Sequence, residues 1–271
     1  DIQDIVVKET MMIFGGYINT IYKRERLTGK DSDTKMFIAW DFQSGSKTFR
    51  GELYPPYKGN RKKRDIPVNL FPSLRNVGDE VADDSWNIEG YEADDIIGSL
   101  AETYSQEHEV YIITGDRDLL QCINHNVEVW LIKKGFTIYQ RYTLDRFIDE
   151  YGLNPQQLID VKAFMGDTAD GYSGVKGIGE KTAIKLIQNH GTVENVVNNL
   201  SSLTPAQQKK ITNNLNHLHL SKSLAEIYTK VPIETDKLFK EMTYAHTLNE
   251  ILSICNEHEL YVSSKYIATH L

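Results

Sequence analysis

Eight carboxylates stand in four groups along this chain: Asp41 in WD, Glu92, Asp94 and Asp95 in GYEADD, Asp116 and Asp118 in TGDRDL, and Asp167 and Asp170 in GDTADG. Like charges this close raise one another's cost of ionising. Hard divalent cations such as Mg²⁺ take oxygen ligands. Two of them about 4 Å apart clamp a phosphodiester for in-line displacement. Any one group also reads as support for a helix dipole or as ordinary turn chemistry. Four groups, each abutting an apolar segment, favour metal binding.

Two basic stretches accompany the acids. Between Ser44 and Pro67, Lys47, Arg50, Lys58, Arg61, Lys62, Lys63 and Arg64 alternate with Phe49, Tyr54 and Tyr57. Cations for phosphates and aromatics for bases suit a segment that grips a nucleic-acid strand. The second stretch is GVKGIGEKTA, Gly174–Ala183. There Gly174, Gly177 and Gly179 permit a tight turn whose amides face outward at a helix start, which favours phosphate. Lys176 and Lys181 add charge beside Thr182, and such a hairpin holds a backbone without reading bases.

These residues need a frame. Met36–Trp40, Glu109–Thr114 and Val127–Ile132 read as buried strands. Ile96, Ile97, Leu100, Ala101 and Tyr104 recur at helical spacing between the first two. Strand, helix, strand predicts an α/β fold with a mostly parallel central sheet, and its ligands bind beyond the carboxyl ends of strands. Asp41 and Asp116 fall at such ends. After Tyr142 the pattern is helical, with helices expected over Thr143–Tyr151 and Pro155–Phe164. The expected division is an α/β catalytic region over 1–142 and a helical region over 143–271, sharing one body.

Composition narrows the classes. The chain has 271 residues and a net charge of −8, which argues against a non-specific nucleic-acid binder unless the charge is segregated. No apolar run approaches the roughly 18 residues of a membrane span. The acidic start DIQDIVVKET does not read as a secretory signal. Cys122 and Cys255 lie too far apart for a metal-ligand spacing, so a cytoplasmic setting is expected. The eight histidines form no HExxH pattern, and no GxSxG or P-loop occurs.

Together, WD, SKTFR, YKGNR, GYEADD, TGDRDLLQ and GDTADGYSGVKGIGEKTA resemble the bacterial 5′-nuclease family. That family includes the 5′–3′ exonuclease domain of DNA polymerase I, free-standing bacterial 5′–3′ exonucleases and flap endonucleases. The resemblance covers roughly residues 36–235 and is nearest to the free-standing enzymes. It implies a helical arch at about 44–87 and a helix-hairpin-helix, or helix-three-turn-helix, element at about 160–190. It also implies a 5′–3′ exonuclease or flap endonuclease acting on flaps, nicks and branched DNA in replication and repair, as a monomer. Asp41, Glu92, Asp94, Asp95, Asp116, Asp118, Asp167 and Asp170 match the family's metal-binding acids, for two Mg²⁺ or Mn²⁺ ions. Lys58 and Arg61 match basic residues that steer the scissile phosphate. A potassium ion is implied at Gly174–Gly179.

The chain departs from the family at its start. The expected LLxDG strand is absent; Ile5–Val7 follows Asp4 and leads into KETMMIFGG. Arg64–Asn87 also lacks a proline-rich arch opening. The missing aspartate motivates an alternative, a structure-specific DNA-binding protein with little or no catalysis. A small-molecule phosphatase would share the acids but leave the hairpin and arch without a purpose.

Overall fold

In the computed structural model the described residues are 36–41, 47–61, 70–134, 138–234, 248–261, 264, 265 and 268. The start of the chain, where the departure from the family falls, lies outside them, as do Lys62 and Lys63.

The three strands expected from apolar runs form, and two more join them. Strand β1 (Phe37–Ala39) pairs in parallel with β2 (Asp84–Trp86), Phe37 opposite Asp84. Strand β3 (Val110–Thr114) pairs in parallel with β4 (Val127–Lys134), which pairs antiparallel with β5 (Ile138–Tyr142). Two of these three pairings are parallel, split among the described residues into a two-stranded and a three-stranded sheet. The arch region, expected to be helical, carries α1 (Phe49–Leu53) and α2 (Leu70–Val81).

Helix α3 (Ala93–Tyr104) packs on both β1 and β3. Its apolar stripe explains why. Ile96, Leu100 and Tyr104 are buried with Val231, against Phe37 and Trp86, while Ala101 enters the main core. Burying such side chains contributes about 1.5–3 kcal/mol each, so the stripe fixes how the acids at the head of α3 are presented.

The helical half begins with α4 (Leu144–Tyr151). Thr143 caps it by accepting the Arg146 N–H, and Gly152 ends it in the left-handed conformation at φ 61°. The predicted Pro155–Phe164 helix is a 3-10 turn, Pro155–Gln157, followed by α5 (Leu158–Met165). Helices α6 (Glu180–His190), α7 (Val193–Asn198), α8 (Pro205–Thr212) and α9 (Leu215–Ala225) follow. One core cluster runs from Ile112, Val129 and Leu131 in the sheet through Phe147 and Phe164 to Leu186, Ile211 and Leu218. It crosses the expected division at 142. Helix α10 (Leu248–Glu257) covers α2 through Ile251 and Cys255 against Val77 and Val81. Among the described residues no helix is long and apolar enough to cross a membrane.

Candidate active site

Four elements deliver the acids to one place. Asp41 follows β1, and its carboxylate accepts the Ala93 N–H at 2.9 Å, at the head of α3. Asp116 follows β3 and accepts the Asp118 N–H at 2.9 Å. Asp167 and Asp170 come from the turn after α5. Asp167 accepts the N–H groups of Ala169 and Asp170, at 2.8 and 3.2 Å.

That turn is held by two glycines in backbone contact. Gly166 has φ 73°, and a Cβ there would lie 2.4 Å from the Gly174 nitrogen. A Cβ on Gly174 would lie 2.3 Å from the Phe164 carbonyl oxygen. Only glycine permits this approach. It places the hairpin directly against the acid-bearing turn.

The acids fall into three environments. Glu92 and Asp95 are buried, and Asp95 has no exposed surface. Arg50 grips Asp95 with two hydrogen bonds of 2.7 and 2.8 Å, and reaches Glu92 at 3.3 Å. The Asp95 oxygens also accept the N–H groups of Glu92 and Tyr228, at 3.0 and 2.9 Å. Burial pulls the guanidinium pKa down, but the Asp95 hydrogen bond and charge outweigh it, and the pKa rises.

This geometry corrects three expectations. Arg50 is 3% exposed and is an internal counter-ion rather than a DNA contact. Asp95 has both oxygens committed to that counter-ion and to backbone, so it is not free to ligate a metal. Tyr57 is 2% exposed and stacks on buried Tyr172, so its ring is not offered to a base. Its hydroxyl lies 3.0 Å from Glu92 and 3.1 Å from Asp170. Burial, then the charges of Glu92 and Asp170, hold it firmly protonated.

The second environment contains Asp118, Asp167 and Asp170, which bring one carboxylate oxygen each to within 4.8 Å of one another. Lys162 of α5 points its ammonium between Asp118 and Asp167, bonding both oxygens of Asp118 and reaching Asp167 at 2.7 Å. Burial lowers the Lys162 pKa, but the charge of Asp118, that of Tyr172 and the hydrogen bonds to Asp118 and Asp167 together outweigh it, and the pKa rises. Asp167 is raised by burial and lowered more by Lys162, ending below its usual range. Asp118 ends above its usual range, because burial exceeds the pull of Lys162. Sequence reasoning missed Lys162. In LIDVKAFM it looks like one helix lysine among apolar neighbours, and only its position five residues before Asp167 hints at the contact.

The third environment is Asp94, with Asp41 and Asp116. Burial first, then the charges of Asp116 and Asp41, push the Asp94 carboxyl up to about 8. Asp116 also raises Asp118. It therefore links the second and third groups electrostatically.

Lys58 and Arg61 stand over these acids. Lys58 has φ 54°, a left-handed conformation uncommon for a lysine and of the kind found where function fixes the backbone. Its N–H donates to the Asp170 carbonyl at 2.7 Å, and its ammonium bonds Glu92. Arg61 pairs with Asp170 at 2.5 Å, and Asn60 donates to the Thr168 carbonyl at 2.7 Å. The YKGNR segment is thereby clipped to the TADG turn. Lys47 is exposed.

The glycine hairpin leads into α6. Gly179 precedes α6 without a side chain over its first amides, and Lys176 and Lys181 are exposed while Thr182 is half-buried. Gly177 has φ 83°, and its carbonyl accepts the Lys210 ammonium at 2.9 Å.

Comparison with known proteins gives the family of the chain. Residues 8–152 match the family model for a 5′-3′ exonuclease N-terminal resolvase-like domain, and residues 153–247 the model for a 5′-3′ exonuclease C-terminal SAM fold. A 5′-3′ exonuclease of Bacillus subtilis is 40% identical over 230 residues, covering 84% of this chain and 76% of that protein. DNA polymerase I of Bacillus caldotenax is 36% identical over 267 residues, covering 90% of this chain but 30% of the polymerase. Among solved structures, the 5′-exonuclease of bacteriophage T5 with bound zinc has a TM-score of 0.66 at 19% identity, covering 95% of this chain and 90% of that one. The catalytic core of Rad2 with DNA has a TM-score of 0.54 at 14% identity, covering 91% and 98%. With the two family models matching consecutive stretches of the chain, and the B. subtilis protein matched over most of its length, the chain belongs to the 5′-3′ exonuclease family.

Proposed function

We propose that this chain hydrolyses phosphodiesters of 5′-ended or branched DNA with the help of divalent metal, acting as a monomer in replication or repair. The observation that carries the reading is the pairing of two acid groups through Asp116. One group is Asp41, Asp94 and Asp116; the other is Asp118, Asp167 and Asp170. A carboxyl pushed up to about 8 in one group and a lysine ammonium drawn into the other both mark a place where positive charge is in demand. Two ions, Mg²⁺ or Mn²⁺, fit those donor sets, and would supply Lewis-acid charge at the phosphate and an acidified water.

The chain's own residues do the rest. Lys58 and Arg61 rest on Glu92 and Asp170 and would exchange these partners for the scissile phosphate. Their charge is placed where the transition state gains it. The hairpin amides, with Lys176 and Lys181, hold the duplex backbone. Support also comes from relatives: the T5 enzyme is described with divalent ions, and as a flap endonuclease pseudo-enzyme–product complex with DNA. Potassium is a weaker fit at Gly174–Gly179, because the Gly177 carbonyl already receives an ammonium.

The test is cleavage of a fluorescent 5′-flap duplex with Mg²⁺, set against Asp116→Asn. Mg²⁺-dependent cutting that the substitution abolishes is expected. Flap binding with background cleavage would favour the alternative, a DNA-binding protein with little catalysis.

A further inference from the structure

The TGDRDL turn carries a cation that the proposed chemistry does not use. Asp116 accepts the Asp118 N–H at 2.9 Å, and this closed turn leaves Arg117 at its tip, with its side chain 57% exposed. Asp116 belongs to one acid group and Asp118 to the other, so Arg117 stands where the two groups meet.

From there the side chain runs toward the hairpin. Its guanidinium donates to the Tyr151 hydroxyl at 2.6 Å and lies 4.0 Å from the Glu180 carboxylate. Glu180 opens α6, between Gly179 and Lys181. Tyr151 is a fixed anchor at the end of α4. Its ring stacks on Phe147 with centroids 4.6 Å apart at 20°, and its carbonyl accepts the Gln188 side chain of α6 at 2.7 Å. Arg117 therefore spans from the acid-bearing turn to the first residue of the hairpin helix.

Its charge is uncommitted, which separates it from other cations around the acids. Arg50 grips Asp95 with two bonds, Lys162 bonds Asp118 and Asp167, and Arg61 pairs with Asp170. The partner of Arg117 at hydrogen-bond distance is a hydroxyl, which orients a guanidinium without neutralising it. The carboxylate at 4.0 Å is exposed, and such pairs contribute little in water. A planar, aimed guanidinium at a surface suits a two-pronged contact with an oxyanion. Between a phosphodiester site and a hairpin that holds a nucleic-acid backbone, that oxyanion is a backbone phosphate.

We infer that Arg117 grips one duplex phosphate between the scissile bond and the hairpin, exchanging Glu180 for it while Tyr151 keeps the guanidinium aimed. The inference rests on the nuclease reading and deepens it. Because Arg117 adjoins Asp116 and Asp118 in the chain, a phosphate held there fixes which phosphodiester reaches the acids. Arg117 is thus a determinant of the cut position, and Tyr151, which acts through it, is a positioning residue.

The test uses 5′-flap duplexes in which each duplex phosphate of the flap-bearing strand, the scissile one apart, is replaced in turn by an uncharged methylphosphonate. The wild type, Arg117→Ala, Arg117→Lys and Tyr151→Phe are compared by kcat/KM with Mg²⁺ and by mapping the product ends to the nucleotide, after thermal melting has verified their fold. Loss of a charge-assisted contact is expected to cost about tenfold. The wild type is expected to lose that factor at several positions, those held by the hairpin included. Arg117→Ala is expected to lose it on the unmodified duplex and to become insensitive at one of those positions alone, because the two changes remove one contact. Its cuts are expected to spread to neighbouring phosphodiesters. Arg117→Lys keeps the charge without the fork and is expected to recover part of the rate. Tyr151→Phe is expected to lose less than Arg117→Ala and to weaken sensitivity at the same position.

An Arg117→Ala enzyme that stays sensitive wherever the wild type is, or that equals the wild type while both cut flaps, would overturn the contact and leave the nuclease reading intact. Product ends that do not move in Arg117→Ala would overturn its role in setting the cut. If Arg117→Ala does not fold, Arg117→Gln takes its place in the same series. If the wild type cuts no flap, the nuclease reading fails. The same methylphosphonate series read by fluorescence anisotropy then decides the contact, which stands only if one position weakens wild-type binding and leaves the Arg117 variant unaffected.

Discussion

Two sets of carboxylates within one site have opposite fates. Asp95 and Glu92 are buried and neutralised from inside, by Arg50 and, for Glu92, also by Lys58. Asp41, Asp94 and Asp116 carry no lysine or arginine partner among the described ion pairs, and Asp94 holds its proton up to about 8. The residue types are the same and lie within a few positions on α3. What differs is whether the fold supplies the counter-charge. Where it does, the acids form a frame; where it does not, they ask for a cation from outside. Asp118 and Asp167 lie between the two, with Lys162 standing where a cation would.

The sharpest way to break this contrast is to neutralise one acid from each set. Asp116→Asn should cut the Mg²⁺-dependent rate on a flap substrate on the order of a thousandfold, because charge at the developing transition state is lost. Its melting temperature should stay level or rise, because a like-charge repulsion goes with it. Arg50→Met should do the reverse in kind. Leaving Asp95 buried without its partner should cost about 3–5 kcal/mol in urea unfolding. Equal stability of the two variants would erase the distinction between frame and ligand.

Lys58→Ala should lower kcat/KM by about a hundredfold. It should change stability far less than Arg50→Met, since Lys58 is half-buried and Arg50 wholly so. The smallest effect is on pH dependence. With its folded pKa raised from 3.8 to about 8, Asp94 keeps a proton that the unfolded chain has released. Metal-free stability should therefore fall as pH rises through that window. Added Mg²⁺ should stabilise more at pH 8 than at pH 6, and Asp94→Asn should flatten both slopes in thermal melting.

Much of this was legible in the sequence, for identifiable reasons. The acids announce themselves because each group abuts an apolar segment, and strand ends, where Asp41 and Asp116 fall, are where such sheets place ligands. The glycine hairpin is legible because Gly177 sits where φ is positive. Burial was not legible. SKTFRGELYPPYKGNR reads as a basic, aromatic segment that grips a nucleic-acid strand. Yet Arg50 and Tyr57 turn inward, because Glu92 and Asp95, more than thirty residues later, arrive beneath them. Strand β2 was missed for a similar reason: DSW has no apolar run and forms only because Met36–Ala39 offers it an edge.

A crystal soaked in Mn²⁺ and recorded at the manganese absorption edge tests the central claim most directly. Anomalous peaks are predicted beside Asp94 and Asp116, and beside Asp118, Asp167 and Asp170 with Lys162 displaced, while Asp95 keeps Arg50. A peak on Asp95 with Arg50 swung away, or none at any of these acids, would contradict the account.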